Sequence, residues 1–330
     1  MSYDICGLGN ALFDVLVSVE DEELLQSFDL TRGLMHLVDE ARWQAIYGAV
    51  AERGPEVAPG GSCANVITTA ALLGARTTFC GQVGDDRFGH EYAERMGRLC
   101  GGHHLHVQPG APTGKCLSLV SRDGERTMAT TLGCAIELEP RYLFRDALES
   151  SRWFHLTGYL FTGGRMGDTA QAALEHARRH GVKISLDVAD AWVVNTLHDR
   201  IWSMIEEFAD VVFTNEEESR ALCGGTPEDA VSRLAECCEV AVVKLGARGS
   251  LIRTDGETVH VPAHPVARVV DTTGAGDAFA GGFLFGLSRG LSASRSGLLA
   301  ARVASEVVGQ TGAVVTTPGR LREIAREVMD

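Results

Sequence analysis

The spacing of apolar positions changes several times along this chain, and each change marks a different kind of element. "YDICGLG" (3–9) and "LFDVLVSV" (12–19) are short β-rich runs, and "GLMHLV" (33–38) is a third. Helical spacing takes over across 39–53, 62–73 and 87–100. Between 104 and 134 the pattern returns to strands, "KCLSLVS" and "ERTMATTLG", joined by Arg122-Asp123-Gly124. Asp-Gly supplies the positive φ that a tight hairpin needs.

From 140 onward, "RWFHLTG", "KISLDV", "DVVFTN" and "VAVVKLG" are short apolar strands. Helical stretches at 168–180, 199–208 and 215–223 separate them, and 277–289 and 292–309 follow; Val269-Val270 reads as the end of one more strand. This alternation predicts an α/β fold with three α/β/α layers and a central, mostly parallel sheet. The strand-rich pieces at about 12–38 and 104–134 fit one small β-sheet, inserted as a lid. No repeat or linker divides the chain, so a single α/β domain over 1–330 is expected.

Charge narrows the partners. Asp and Glu number 44 against 30 Lys and Arg, a net charge of −14. A polyanion would be repelled, which excludes nucleic acid or an acidic membrane as the main partner; a small anion needs a local positive pocket. The nine cysteines are scattered without a C-x-x-C, so neither a disulfide framework nor a zinc site is expected, and a reducing cytoplasmic setting is. His103, His104 and His106 lack a matching ligand pair and read as a solvated strand or loop. No run reaches the roughly 18 apolar residues of a membrane helix, and a soluble protein is expected.

Two glycine patterns fail their usual tests. "GLGNAL" (7–12) has Leu12 where a dinucleotide-binding fingerprint needs glycine, and a strand follows. "GAPTGKC" (110–116) is one residue too short for a phosphate loop and has no Ser or Thr after its lysine.

"DTTGAGDAFAGG" (271–282) is different. Gly274-Ala275-Gly276 stands at the mouth of a helix, where unpaired amides and the helix dipole favour an anion and small residues let the backbone curl around it. Asp277 follows. It is either a helix cap or a base that takes a proton from a hydroxyl attacking a phosphorus held over the nest. "PGGSCANVITTAALLG" (59–74) has Gly60 and Gly61, then Ser62 as N-cap, with Asn65 one turn in among apolar neighbours. Glycines where backbone approaches a ligand, followed by an amide, suit sugar hydroxyls. Asp14 interrupts the apolar run "ALFDVLVSV". It sits on a harmless edge strand or accepts hydrogen bonds from vicinal hydroxyls.

Together "GGSCAN" and "DTTGAGDAFAGG" resemble the two signatures of the ribokinase-like (PfkB) family of carbohydrate and nucleoside kinases, in order and spacing across nearly the whole chain. "GLGNALFDVLVSV", "GLMHLVDEARW" and "ERTMATTLG" resemble its adenosine-kinase branch. The resemblance implies Asp277 as base and the amides of Gly274, Ala275, Gly276 and Asp277 as anion hole. It implies Asn10, Asp14, Gly60, Gly61 and Asn65 around the acceptor, and Arg126 as a lid arginine near the transferred phosphate. Asn215 and Glu218 of "TNEEES" match an N-x-x-E associated with magnesium and phosphate, and Lys244, Gly246 and Gly249 of "VVKLGARGS" border the nucleotide. No dedicated all-protein metal cage is implied. The cofactors implied are ATP as donor and Mg²⁺, with room for K⁺ beside the nest. The expected acceptor is the 5′-hydroxyl of a purine nucleoside. A sugar (ribose, fructose or a keto-sugar acid) is the alternative, and a catalytically silent nucleoside-binding protein is the alternative from another class. Cys116, Cys134, Met35 and Phe161 would touch a base in the first case and be plain core in the second. Neither acceptor identity nor oligomeric state follows from the chain.

Overall fold

The computed structural model describes residues 2–19, 22–122 and 125–329. The chain begins with strands β1 (Tyr3–Leu8) and β2 (Leu12–Ser18), a short helix α1 (Glu22–Ser27), β3 (Met35–Leu37) and α2 (Glu40–Val50). There follow β4 (Glu56–Gly60), α3 (Ser62–Leu73), β5 (Thr77–Gly84), α4 (Arg87–Cys100), β6 (His104–Gln108), β7 (Gly114–Val120) and β8 (Arg126–Thr131). The regular half contains α5 (Arg145–Glu149), β9 (Ser151–Thr157), α6 (Met166–Arg179), β10 (Lys183–Asp187), α7 (Ala191–Phe208), β11 (Val211–Asn215) and α8 (Glu216–Cys223). It closes with α9 (Pro227–Leu234), β12 (Val240–Lys244), β13 (Ser250–Thr254), β14 (Glu257–Val261), α10 (Ala275–Ser288), α11 (Ala293–Val308) and α12 (Arg320–Met329).

The larger sheet runs β14-β13-β12-β11-β10-β9-β1-β5-β6. Strands from β12 to β6 pair in parallel, and the β13–β14 hairpin adds an antiparallel edge. Apolar residues on both faces of each parallel strand demand cover on both sides. In β11, Val211 and Phe213 join the core that contains Phe279 and Phe283 of α10, where Phe213 meets Phe283 edge-on at 5.5 Å. Val212 faces the other core, with residues of α6, α7 and α9. The expected three-layer α/β/α arrangement is present.

The smaller sheet runs β3-β8-β7-β2-β4. Alternation in β2 sends Phe13, Val15 and Val17 into a core with Trp43 and Ile46 of α2 and Tyr92 and Met96 of α4. Asp14 and Leu16 point to the open face. Asp14 is not on an edge strand, because β2 lies between β7 and β4.

Several boundaries differ from the sequence expectation. His104–Gln108 extends the large sheet beside β5, while Glu56–Gly60 completes the small one. Two of the three histidines are not simply solvated: His106 stacks on Tyr142 at 3.6 Å and His104 leans on Phe144. Val269-Val270 is not a strand; the amides of Val270 and Asp271 instead donate to Val308 O at the end of α11. Ser62 is the first residue of α3, whose N-cap is Gly61. β7 and β8 pair antiparallel with Val120 opposite Arg126, and the expected turn at Asp123-Gly124 lies outside the described residues.

Candidate active site

Helices α3 and α10 lie side by side and run the same way. A Cβ on Gly281 of α10 would fall 2.8 Å from both Thr69 Cβ and Val66 O of α3, so the missing side chain allows this approach. One turn earlier on each helix, Asp277 meets Ser62 and Asn65. Ser62 Oγ donates to Asp277 Oδ1 at 2.6 Å, and Asn65 Nδ2 donates to Oδ2 at 2.9 Å. Two helix N-termini, capped by Gly61 and Gly274, therefore converge on one carboxylate, and both positive dipole ends face it.

Asp277 is not a cap. The N-cap of α10 is Gly274, in the left-handed region at φ 73°, and no side chain caps that helix. Burial pushes the Asp277 carboxyl up to about 6, against the two hydrogen bonds from Ser62 and Asn65; the Asp187 charge adds to the rise and Lys244 opposes it. A carboxylate tuned toward neutrality and held by two donors is equipped to accept a proton.

The anion nest is narrower than expected. The Ala275 amide donates back to Thr272 O at 3.2 Å, which leaves the amides of Gly274, Gly276 and Asp277 at the entry of α10. A Cβ on Gly276 would stand 3.2 Å from Lys244 Nζ, so the lysine ammonium borders the nest. Lys244 Nζ also bonds Asp187 Oδ2 at 2.8 Å. Burial alone would depress the lysine, but Asp187 and Glu218 outweigh it and keep it cationic.

Asp187, Asn215 and Lys244 end three neighbouring parallel strands, with Asn215 directly opposite Lys244 in register. Carboxyl ends of parallel strands are where open α/β sheets build their sites. Asn215 and Glu218 form a reciprocal capping box on α8, in which Asn215 Oδ1 accepts from Glu218 N and both Glu218 oxygens accept from Asn215. Glu218 is buried, which raises its carboxyl to about 7 against the pull of Lys244. Gly246 follows at φ 59° with open space where a Cβ would be, whereas a Cβ on Gly249 would strike Val261 O at 2.0 Å. Gly249 thus has a packing reason in the hairpin.

The glycine pair before α3 also proves to be about internal approach. A Cβ on Gly60 would fall 2.1 Å from Asp14 Oδ2, and Gly61, at φ 92°, lies against Asn10 O. Asn10 and Asp14 are thereby drawn to the N-terminus of α3. Burial raises Asp14 to about 7, with Arg126 opposing and the Asp277 charge reinforcing. Asn10 Oδ1 is buried without a partner.

Arg126, at the start of β8, pairs with Asp271, and both are nearly buried. Asp271 also accepts from the amides of Thr273 and Gly312 at 3.0 and 2.8 Å. The small sheet is thus tied to the loop that enters α10. A cleft of about 1090 Å³ opens here, lined in part by Asp14, Leu16, Arg126, Thr273 and Gly312. Register places Leu37, Thr130, Cys116, Asp14 and Ala58 in one cross-strand row, and Met35, Met128, Ser118, Leu16 and Glu56 in the next. Met35 and Leu37 are 46% and 54% exposed, an apolar shelf on β3, on the same face as Asp14 with β8 and β7 between. Cys116 is half-buried on the same face, whereas Cys134 and Phe161 are core.

Sequence reasoning missed Asp187 and Asp271, and took Ser62 for an N-cap rather than a partner of Asp277. Asp187 carried a usable signal, a carboxylate ending the apolar run "KISLDV". The roles of Ser62 and Asp271 depend on partners more than 140 residues away.

Comparison with known proteins agrees with this geometry. Residues 35–319 match the model of the "pfkB family carbohydrate kinase". The crystal structure of adenosine kinase from Sinorhizobium meliloti superposes with a TM-score of 0.90 at 31% identity, covering 99% of both chains. Adenosine kinase of Saccharomyces cerevisiae is 27% identical over 88% of this chain and 90% of its own. Ribokinase of Arabidopsis thaliana is 31% identical over 79% of this chain and 70% of its own.

Proposed function

The chain belongs to the PfkB family of carbohydrate kinases, phosphotransferases that use ATP, a divalent metal and an alcohol acceptor, and we propose that its acceptor is the 5′-hydroxyl of a purine nucleoside. The observation that carries this choice is the open face of the small sheet. It offers a half-buried carboxylate, Asp14 on β2, and, on the same face at β3 across the sheet, the exposed apolar side chains of Met35 and Leu37. A ribose with two vicinal hydroxyls suits the first and a flat base suits the second. A plain sugar would leave the shelf in water. Relatives of both kinds, adenosine kinase and ribokinase, are consistent with the shared chemistry.

The chemistry follows from charge placement. Asp277 takes the proton of the primary hydroxyl as its oxygen attacks the γ-phosphorus. Ser62 and Asn65 hold both carboxylate oxygens, so the base is oriented before the acceptor arrives. The amides of Gly276 and Asp277, the dipole of α10 and Lys244 face the charge that grows on the transferred phosphoryl group. Asp187, Asn215 and Glu218 offer oxygen donors at the strand ends, chemistry that fits Mg²⁺ held mainly through water and phosphate oxygens. Bound there, Mg²⁺ would neutralise charge on the phosphates. The small sheet closes over the cleft as a lid and keeps water from the phosphorus.

The test is a panel of acceptors with ATP, read by ADP release. Adenosine or a related ribonucleoside should exceed ribose and fructose in kcat/KM. Asp14→Ala should lower nucleoside kcat/KM by about 10- to 150-fold, the worth of a charge-assisted hydrogen bond, and erase most discrimination against the 2′-deoxy analogue. Faster turnover of ribose or a hexose would contradict the nucleoside assignment. Undiminished 2′-hydroxyl discrimination in the variant would contradict the role of Asp14.

A further inference from the structure

The opposite end of the large sheet carries a second cluster. Glu149 ends α5 just before β9, and His176 and His180 stand one turn apart at the end of α6, before β10. The phosphoryl-transfer residues lie at the carboxyl ends of the same strands, so this cluster is separate from them. The two imidazoles pack with centroids 4.3 Å apart. Glu149 Oε1 lies 2.8 Å from His176 Nε2 and 3.6 Å from His180 Nε2.

We propose that Glu149, His176 and His180 form a site for a first-row transition-metal ion of the Zn²⁺ class. Two histidines at i and i+4 present their rings on one helix face, and a carboxylate from a neighbouring helix completes three ligands. A tetrahedral ion with bonds of about 2.0–2.1 Å sets its ligand atoms about 3.3 Å apart. The distances from Glu149, 2.8 and 3.6 Å, bracket that spacing, and ligand atoms of the three residues all lie within 4.8 Å of one another. The His180 ring is already oriented for the task. Its Nδ1 donates to His176 O at 2.8 Å, which fixes the proton there and leaves the Nε2 lone pair toward the carboxylate.

His176 is 7% exposed, so its ring is held in place, while Glu149 and His180 are partly open to solvent. An ion can therefore enter, with water in the fourth position. The end of α6 adds the negative pole of its dipole. A simple Glu149–His176 hydrogen bond accounts for two of the residues and not for His180, whose Nε2 is too far from the carboxylate for such a bond. When the ion binds, the proton shared by His176 Nε2 and Glu149 passes to solvent and the ion takes its place. Imidazole donors favour Zn²⁺, Co²⁺ or Ni²⁺ over the Mg²⁺ that accompanies ATP. The bound ion would join the ends of α5 and α6 and stabilise the fold by mass action.

The test uses the full chain stripped with a chelator, then titrated with Co²⁺ and with Zn²⁺ in millimolar Mg²⁺. One Co²⁺ per chain should bind with the visible bands of a tetrahedral site, and Zn²⁺ should displace it and raise the melting temperature. His180→Ala and Glu149→Gln change solvent-accessible side chains, and the second keeps a hydrogen-bond partner for His176. Each should weaken Co²⁺ binding by at least about tenfold and abolish the Zn²⁺-dependent rise in melting temperature. Absence of Co²⁺ binding in the wild-type chain would overturn the proposal. So would equal binding in both variants, which would point instead to the cysteines.

Discussion

Ser62 Oγ donates to Asp277 Oδ1 at 2.6 Å, although 215 residues separate them in the chain. The bond favours the ionised carboxylate, while burial works against it. Removing the donor should therefore raise the carboxyl further above about 6. Because a base must be ionised, the acid limb of kcat/KM should lie near pH 6 in the wild type. Ser62→Ala should move it up by about one to two units, the equivalent of one hydrogen bond to a charged group. At pH 9 the variant should recover most of its activity. An unmoved limb would mean that Ser62 does not tune Asp277.

Asp14 adds to the same limb. It is raised to about 7 by burial, with Arg126 opposing and Asp277 reinforcing. If both carboxylates must be ionised, kcat/KM should start to fall near pH 7 and steepen from a slope of one proton toward two below pH 6. Asp14→Asn should reduce that slope to one. A wild-type limb with unit slope would show that the protonation of Asp14 does not matter for turnover.

Arg126 and Asp271 couple the small sheet to the entry of α10. Breaking a nearly buried pair leaves one charge uncompensated and costs about 3–5 kcal/mol when one partner is removed. Arg126→Met should lower the melting temperature, and adding Asp271→Asn should restore part of it, since Asn carries no uncompensated charge and its one carbonyl oxygen still accepts from either the Thr273 or the Gly312 amide. Activity should stay low in the double variant if the arginine also serves the phosphate. Full recovery of both stability and turnover would make the pair purely structural.

Gly276 leaves the space into which Lys244 reaches. A Cβ there would stand 3.2 Å from the ammonium, and a branched side chain would displace it or cover the amides. Gly276→Val should raise the KM for ATP and cut kcat while the protein stays folded. Normal values of both would remove this turn from the phosphate site.

How much of this was readable beforehand depends on distance along the chain. The parallel strands announced themselves because each is a short apolar run with punctuation at both ends, and α3 and α4 began and ended where their spacing said. Asp277 and its small neighbours were legible because glycines at a helix entry have few cheap uses. The assignment of β6 failed because an alternating strand looks the same in either sheet, and only pairing with β5 settles its place. Val269-Val270 failed because β-branched composition carries no information about a ladder partner. The parallel approach of α3 and α10 rests on Gly281 meeting Val66 and Thr69, a contact that no local pattern encodes.

The most direct measurement is phosphoryl transfer by Asp277→Asn at pH 8, followed together with nucleotide affinity and melting temperature. A positioned base contributes about 10²- to 10⁴-fold, so kcat should fall by at least about 10²-fold with ATP affinity nearly unchanged. Stability should not fall. The folded state binds the Asp277 proton more tightly than the unfolded chain does, so this group's stabilising effect is full below the unfolded pKa of about 4 and is lost as pH rises through about 6. At pH 8 the neutral amide is relieved of that cost. Wild-type turnover in a well-folded Asp277→Asn protein would contradict the assignment of Asp277 as the base.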